Sequence, residues 1–388
     1  MQRDQVLTWL DPLSHYPASL AVTWQTSVDR LSDAARRLLE RLAWLGPEPI
    51  PESLLEVLAP RSSRALPRFF RRLLFRPALQ DSAKVLSDAL VELATCSLVT
   101  RTTEASTFTV HRLVQEVTRR SLRRVNANQR LAETLRWVSA AFVGNPQDVR
   151  TWVILEPLAP HVQAITAHAG ASGMAEPTAR LLNQLGQLFH AKALLAEAEP
   201  LMRRVLAIDE TTFGPNHPNV GRDLNNLAGL LYATNRLAEA EPLMRRGVVI
   251  LESKLGENHP NVAPALNNLA QLLQATNRLA EAEPLLQRAL AIDETSFGPE
   301  HPNVARWLNN LACVLHATNR HAEVEPLLCR ARVIFRDFTR RNGHDHPHLQ
   351  ETLGDYRALL QETGKHDVEI EAVLEDLRVS GTSPAAGP

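Results

Sequence analysis

The chain has 388 residues, of which 44% are hydrophobic and 22% charged, and its formal net charge is −1. These values fit a globular protein of two or three domains and exclude disordered, collagen-like and mucin-like chains. Cys96, Cys313 and Cys329 form neither a C-x-x-C pair nor a disulfide framework, so we expect reduced thiols and no structural zinc. No apolar run approaches the roughly 18 to 20 residues of a membrane span, and no signal-like core follows Met1. We therefore predict a cytoplasmic protein that does not contact a membrane.

Positive charge is concentrated in the first half of the chain. Up to residue 176 there are 21 basic and 17 acidic side chains, and the remaining 21 of the 42 basic residues accompany 26 of the 43 acidic ones. The stretch 61–76 contains six Arg and no acidic residue. We interpret it as an amphipathic helix with solvated Arg side chains, with a surface for DNA or an acidic partner as the alternative. We do not expect nucleic acid as a partner.

Residues 20–160 contain a non-repetitive pattern that begins with short helices. Apolar spacing predicts helices at 35–45, 53–58, 65–74 and 82–96, with a Pro-rich turn at 47–51. Two β-prone segments, 97–101 and 107–110, enclose a polar turn, which predicts a hairpin. Helices followed by a hairpin indicate a winged-helix module, and a further helix begins at His111.

This order of motifs resembles the winged-helix module of the STAND family of signalling NTPases, the NB-ARC proteins of bacteria and fungi. The similarity rests on TW-x-x-SVDRL at 23–31, LAWLGPEPIP at 42–51, SLVTR at 97–101 and VHRLVQEV at 110–117. It implies a winged-helix module at 20–125, preceded by a linker remnant at 1–19. In that family, the His of an MHD-like motif contacts the β-phosphate of ADP. His111 is the matching cofactor-binding residue, although Arg112 replaces the family's Asp.

The nucleotide-binding part of that family has no counterpart in this sequence. No G-x-x-x-x-G-K-[ST] motif occurs and no apolar strand ends in paired acids, so the phosphate-binding loop and the Mg²⁺ ligands are missing. We expect no ATP hydrolysis and no cofactor, with ADP or ATP bound only if another chain supplies a P-loop domain. The chain resembles the C-terminal half of such a protein, either truncated or one part of a split system.

The second half of the chain repeats with a period of 42 residues. LNNLA at 224–228 recurs at 266–270 and 308–312, and NRLAEAEPL at 235–243 recurs at 277–285. A weaker copy starts near residue 182, and a fifth unit with three inserted residues runs to about residue 377. We therefore predict a helical linker at 126–176 with a hinge at 160–176, a repeat domain at 177–379 and a disordered tail at 380–388.

Each repeat predicts two helices, which we call helix A and helix B. Leu224, Leu227, Ala228 and Leu231 form the apolar stripe of one helix A, which starts at a His-Pro pair and stops near an Asn. Helix B carries a second stripe and closes at a Gly. Because Pro242 and its equivalents fall about one turn into helix B, we expect that helix to start late.

The unit resembles the 42-residue tetratricopeptide repeat of the kinesin-light-chain type, with its NNLA helix A, AEAEPL helix B and G-x-x-HP connector. The resemblance implies a mainly α fold in which the repeats stack into a right-handed α-solenoid. The A helices of such an array line a concave groove, which implies a non-enzymatic adaptor or scaffold that binds a peptide of a partner protein. In the complete family architecture such repeats sense a ligand and restrain the NTPase, which points to signal transduction.

The groove position of helix A carries an Asn in each of the four clear repeats, and other groove residues follow at later turns of the same strip. The predicted peptide-binding residues are Asn183, Gln187, Asn225, Tyr232, Asn267, Gln271, Gln274, Asn309 and His316. An amide can donate to and accept from an extended peptide backbone. An Asn ladder that bonds neighbouring A helices is an equal alternative, since buried amides need partners. Gly354 replaces this Asn in the fifth unit, which we therefore interpret as a cap.

The remaining polar residues suggest neither a metal centre nor a catalytic site. One His occurs in each connector, which predicts helix caps: His217, His259, His301 and His346. No Ser/His/Asp, Cys/His or paired-carboxylate arrangement is evident, so we do not expect an enzyme. Two other functions stay open. One is the regulatory half of a nucleotide-switched NTPase whose P-loop partner is another chain, and the other is a DNA-binding winged-helix regulator.

Overall fold

The computed structural model describes residues 26–57, 83–102, 104–346 and 349–362. The predictions for the N-terminal remnant, for the Arg-rich stretch at 61–76, and for the second helix of the fifth repeat with the tail lie outside the described residues. The described chain is mainly α-helical, as predicted. It forms two compact units, Met1–Lys192 and Ala193–Pro388.

The described part of the first unit combines helices with a small sheet. A short 3₁₀ turn at Val149–Thr151 leads into the sixth helix. In chain order the elements are α1 (Asp33–Leu42), β1 (Ile50–Pro51), α2 (Ser53–Val57), α3 (Ala83–Thr95), β2 (Val99–Thr102), β3 (Thr107–Val110), α4 (Arg112–Ser121), α5 (Arg124–Ala141), α6 (Trp152–Ala171) and α7 (Ala175–Ala191).

The predicted hairpin is confirmed, and a third strand joins it. β2 and β3 pair antiparallel, with Val99 opposite Val110. β1 pairs with the other edge of β3, with Ile50 opposite Phe108, so that the strand order is β1-β3-β2. The sequence predicted only a turn here, because prolines flank Ile50. Pro51 is nevertheless compatible with an edge strand, which does not need every backbone N–H for pairing.

Polar side chains of α4 and α5 bond to backbone groups near the ends of earlier helices. The buried Gln115 amide donates to the carbonyls of Leu42 at 3.2 Å and Leu45 at 3.1 Å. The Trp137 indole N–H donates to the Leu54 carbonyl at 2.7 Å. Carbonyls at a helix C-terminus have no partner within the helix. The Gln115 amide therefore supplies a donor to the Leu45 carbonyl and a second donor to the Leu42 carbonyl, which also accepts from the Leu45 backbone N–H at 3.2 Å.

Helix α6 occupies most of the segment that was predicted to be a hinge. It continues to Ala171 and buries Leu158, Val162 and Ile165. The break before α7 is confined to residues 172–174. The hinge prediction is therefore wrong for residues 160–171, because the apolar side chains of this helix pack into the core of the first unit. The two compact units divide after Lys192.

The described part of the second unit alternates helices B and A. Its helices are α8 (Leu195–Phe213), α9 (Pro218–Ala233), α10 (Leu237–Leu255), α11 (Val262–Ala275), α12 (Leu279–Phe297), α13 (Pro302–Ala317), α14 (His321–Asn342) and α15 (Leu349–Glu362). Helices A are α9, α11, α13 and α15. Each packs on its neighbouring helices B, and consecutive helices A also contact each other. This is the stacking expected of a tetratricopeptide solenoid.

Residues of the connectors end and begin these helices as the sequence predicted. His217 and His301 cap a helix A, because each Nδ1 accepts a bond from the backbone N–H two residues later at 3.2 Å. His259 accepts the equivalent bond from the Asn261 backbone N–H at 3.1 Å, but α11 begins only at Val262 and its N-cap residue is Asn261. Helix A ends at an Asn with a φ of about 60°, in the left-handed region: Asn235, Asn277 and Asn319. Helix B ends at a Gly with positive φ: Gly214, Gly256 and Gly298.

Helix B starts earlier than the sequence predicted. α10 begins at Leu237, so Pro242 is its sixth residue, and the other helices B carry a proline at the same position. A proline there leaves the carbonyl of Ala238 without its bond from the fourth following residue. The expectation of a late start was wrong, because one lost hydrogen bond does not prevent a packed helix from forming its first turn.

Ion pairs at the start of each helix B explain why the NRLAEAEPL motif repeats. Its Arg bonds the Glu three residues later and also the second Glu of the motif in the preceding unit. Arg278 donates to Glu281 at 2.7 Å and to Glu241, in the preceding helix B, at 2.7 Å. Arg236 with Glu199 and Arg320 with Glu283 repeat this link. These pairs are half exposed, so each contributes little to stability on its own.

Candidate functional site

The polar surface of the helices A forms one strip, which we call the groove strip. Along each helix A of the second unit, a half-buried residue recurs every three or four positions between fully buried Leu and Ala residues. The groove strip consists of Asn226, Gly229 and Tyr232 on α9, Asn268, Gln271 and Gln274 on α11, Cys313 and His316 on α13, and Asp355 on α15. Because consecutive helices A contact each other, these side chains form a continuous surface.

The first Asn of each pair lies below this surface. Asn225, Asn267 and Asn309 are 8%, 2% and 3% exposed. Asn268 Nδ2 donates to Asn225 Oδ1 at 3.1 Å, and Asn310 Nδ2 donates to Asn267 Oδ1 at 2.6 Å. The two Asn of one repeat therefore have different roles, since the second reaches across to the first of the preceding repeat. This arrangement favours the alternative in which the Asn ladder joins neighbouring helices A.

The ladder continues into the fifth repeat through Asp355, which was not among the predicted groove residues. Gly354 does replace the first Asn, but the adjacent Asp355 takes the place of the second one. Asp355 Oδ2 accepts a hydrogen bond from Asn309 Nδ2 at 2.6 Å, and Cys313 Sγ donates to the same oxygen at 3.6 Å. α15 is therefore joined to the fourth repeat through Asp355, and the interpretation of the fifth unit as a cap stays a prediction. The alignment of Asp355 with Asn268 and Asn310 was the signal that could have revealed this link.

The predicted groove residues of the first repeat lie in the first unit, on α7. Asn183 and Gln187 are half buried, and Gln187 Nε2 donates to Asn183 Oδ1 at 3.3 Å. They follow the i, i+4 spacing that brings side chains together on one helix face. His190 lies one turn further, where burial lowers the pKa of its imidazole.

One end of the groove strip opens into a pocket of about 290 Å³ between α11, α13, α14 and α15. Its polar lining comes from Gln274, Cys313, His316 and Asp355, and its apolar lining includes Val324 and Leu328. The sequence predicted Gln274 and His316 as groove residues, and the fold brings these two together with Asp355. The His316 and His321 rings also contact each other edge to face, with 5.0 Å between their centroids.

His111, the residue matched to a nucleotide-binding His, is exposed and caps a helix. Its Nδ1 accepts a bond from the Leu113 backbone N–H at 3.2 Å at the start of α4. Like the connector His residues, it stabilises the first turn of the helix that follows. Within the described ranges, no group of three or more His, Cys, Asp or Glu side chains could hold a metal ion. None of the described helices is long and apolar enough to span a bilayer.

Two carboxyl groups are buried between α8 and α9. Asp209 and Asp223 are 1% and 2% exposed, and the Arg222 guanidinium lies 3.2 Å from Asp223 and 4.0 Å from Asp209. Burial, together with the neighbouring Asp209 carboxyl, raises the pKa of Asp223 to about 7. In the next repeat the equivalent positions are Leu251 and Ala265, which are apolar. The acid pair is therefore not required by the repeat fold itself.

Comparisons with known proteins agree with the repeat assignment. The tetratricopeptide repeat family matches residues 177–253, 248–295 and 261–337. A separate match, described as a domain of unknown function (DUF7779), covers residues 26–127. No curated protein matches the chain.

Solved structures with similar repeats include one described as a kinesin light chain with nearly identical TPR-like repeats, from Podosopora anserina. It is 26% identical, has a TM-score of 0.43, and the match covers 52% of this chain and 93% of that one. BtubC (BKLC) from P. vanneervenii is 19% identical and has a TM-score of 0.45. The match covers 54% of this chain and 83% of the other. A STAND protein with a tetratricopeptide repeat sensor from Pyrococcus horikoshii is 13% identical and has a TM-score of 0.34. That match covers 91% of this chain and 64% of the other. The family match identifies residues 177–337 of this chain as tetratricopeptide repeats.

Proposed function

We propose that the second unit is a protein-interaction scaffold whose groove strip binds an extended segment of a partner protein. The observation that carries this proposal is the pattern of burial along helices A. Their Leu and Ala side chains and the first Asn of each pair are used in packing, whereas Tyr232, Gln271 and Gln274 stay half exposed in one row. Amide side chains spaced along such a row suit the alternating donors and acceptors of a peptide backbone.

The peptide contacts therefore belong to the later turns of helix A. The buried Asn225 and Asn267 hold the row in place by joining neighbouring helices. The row ends at a pocket that contains His316, which allows a side chain of the bound segment to be enclosed. We propose a place for this scaffold in signal transduction, with the repeats as the part that recognises a partner.

Replacing Gln271 and Gln274 together by Ala is expected to abolish capture of the cellular partner by the full chain, without changing its unfolding midpoint. Neither side chain makes a hydrogen bond that holds the array together among the described residues, so the fold should not depend on them. The measurement is affinity capture followed by mass spectrometry, with a urea unfolding curve for each variant. Gln287→Ala is the matched control, because this exposed amide lies on a helix B and donates to Glu283 of its own helix. Undiminished capture by the double variant would contradict the groove strip as the binding surface.

We also propose that residues 20–125 form a winged-helix module and that the chain holds no nucleotide by itself. The hairpin and its flanking helices support the first statement, and the missing phosphate-binding loop supports the second. Titration of the chain with ADP or ATP is expected to release no heat beyond that of dilution. Micromolar affinity that persists after repurification would contradict this, and His111→Ala would then test the role of that imidazole.

A further inference from the structure

The pocket at the end of the groove strip is suited to one long side chain. Its volume of about 290 Å³ is at the lower limit for small-molecule sites, which span roughly 300 to 1,000 Å³. It lies where the groove strip passes from α13 to α15, so a peptide that follows the strip can insert a side chain there. Val324 and Leu328 of α14 give it an apolar wall, and both are buried. Such a wall favours a side chain with an aliphatic stem.

The described lining of the pocket carries a single formal charge. Asp355 is the only acidic side chain among the described lining residues, and none of these residues is Lys or Arg. Asn309 Nδ2 and Cys313 Sγ both contact Asp355 Oδ2. These contacts fix the carboxylate, while Oδ1 has no donor among the described residues. A half-exposed carboxylate with one oxygen left for a ligand attracts a cation, and a charged hydrogen bond to it is stronger than a neutral one.

We propose that this pocket binds a basic side chain, an arginine or a lysine, of the peptide held in the groove strip. The inference rests on the proposed function, since the peptide backbone must lie along the strip for its side chain to enter. The methylene groups pack against Val324 and Leu328. The cationic head reaches Asp355 Oδ1, with the Gln274 amide beside it. The Asp355 carboxylate therefore selects a basic residue at one position of the bound segment. The amide side chains elsewhere on the groove strip bind the peptide backbone and do not select a sequence.

A phage-displayed library of random peptides, selected on the full chain, tests this inference. We expect the selected peptides to share a basic residue at one position. For a selected arginine peptide, replacing that arginine by its neutral isostere citrulline should weaken binding at least tenfold, because a charge-assisted hydrogen bond is lost. Asp355→Asn should lower the affinity for the arginine peptide to that of the citrulline peptide for the wild-type protein. The same substitution should leave the affinity for the citrulline peptide unchanged.

The control is Asp337→Asn, which removes one negative charge from α14 outside the pocket and should leave both affinities unchanged. Equal affinities of the arginine and citrulline peptides would overturn the inference, as would equal weakening of both peptides by Asp355→Asn. If peptides are selected that depend on Gln271 but share no basic residue, the pocket proposal fails and the groove proposal stands. If no peptide is selected, both fail.

Discussion

Replacing Trp307 by Ala should lower the free energy of unfolding by about 3 to 5 kcal/mol, the range for removing a large aromatic side chain from a core. Trp307 is fully buried in α13, and its indole N–H donates to Asp293 Oδ2 at 2.7 Å. The substitution thus opens a cavity and also leaves a buried carboxyl without its donor. Urea unfolding at pH 7 measures the loss.

Trp307→Phe separates the two contributions. Phe retains most of the ring in the core but cannot donate to Asp293, so a loss of about 1 to 3 kcal/mol is expected, as for a buried acceptor left unpaired. Burial already raises the pKa of Asp293, and the Trp307 bond opposes that rise. Equal losses for the Phe and Ala variants would contradict a contribution from ring packing.

Replacing Asp223 by Asn should stabilise the protein at pH 8 and leave its stability at pH 4 nearly unchanged. Asp223 keeps its proton in the native state up to its pKa of about 7, whereas an ordinary Asp loses it near 3.8. The native state therefore binds more protons than the unfolded state between these pH values, and stability falls as the pH rises through this range. Asn is neutral at every pH and can donate to Asp209, so the variant avoids this loss.

The difference in the free energy of unfolding between Asp223→Asn and the wild type should grow from pH 4 to pH 7 and then stay constant. It should reach up to about 4 kcal/mol. Urea unfolding at several pH values between 4 and 8.5 measures it, and other titrating groups cancel in the difference. Asp337→Asn, at a half-exposed position, should follow the wild-type curve. A variant that is no more stable than the wild type at pH 8 would show that the native pair does not retain a proton.

Periodicity predicted the helices of the repeats well because each stripe of Leu and Ala has only one packed arrangement. We assigned the groove position to the first Asn of each pair, but periodicity alone does not distinguish it from the second. Asn267 and Asn268 are both polar and lie only one residue apart on the helix, so the apolar stripe excludes neither from the surface. The difference arises from the neighbouring helix, where Asn225 accepts from Asn268 and Asn267 accepts from Asn310.

Other features depended on contacts that a local pattern does not contain. β1 is a strand only because β3 lies beside it, and its Pro-rich sequence gives no strand signal. The pocket combines residues from four helices that are separated by up to two repeats. Gln274 and His316 were predicted from their place on helix A. Val324 and Leu328 come from a helix B, whose apolar stripe gave no reason to expect a ligand.

The amide ladder has a consequence for how this protein can change its length. Between the second, third and fourth repeats both rungs use the same Asn pair, so the third repeat donates to the second in the same way as it accepts from the fourth. A tandem duplication of one whole unit would therefore create a new junction with matching partners already present. A duplication whose length is not a whole number of units would break the ladder and bury unpaired amides. Gene duplication in steps of one repeat can thus extend the binding surface without further substitutions at the new junction between repeats.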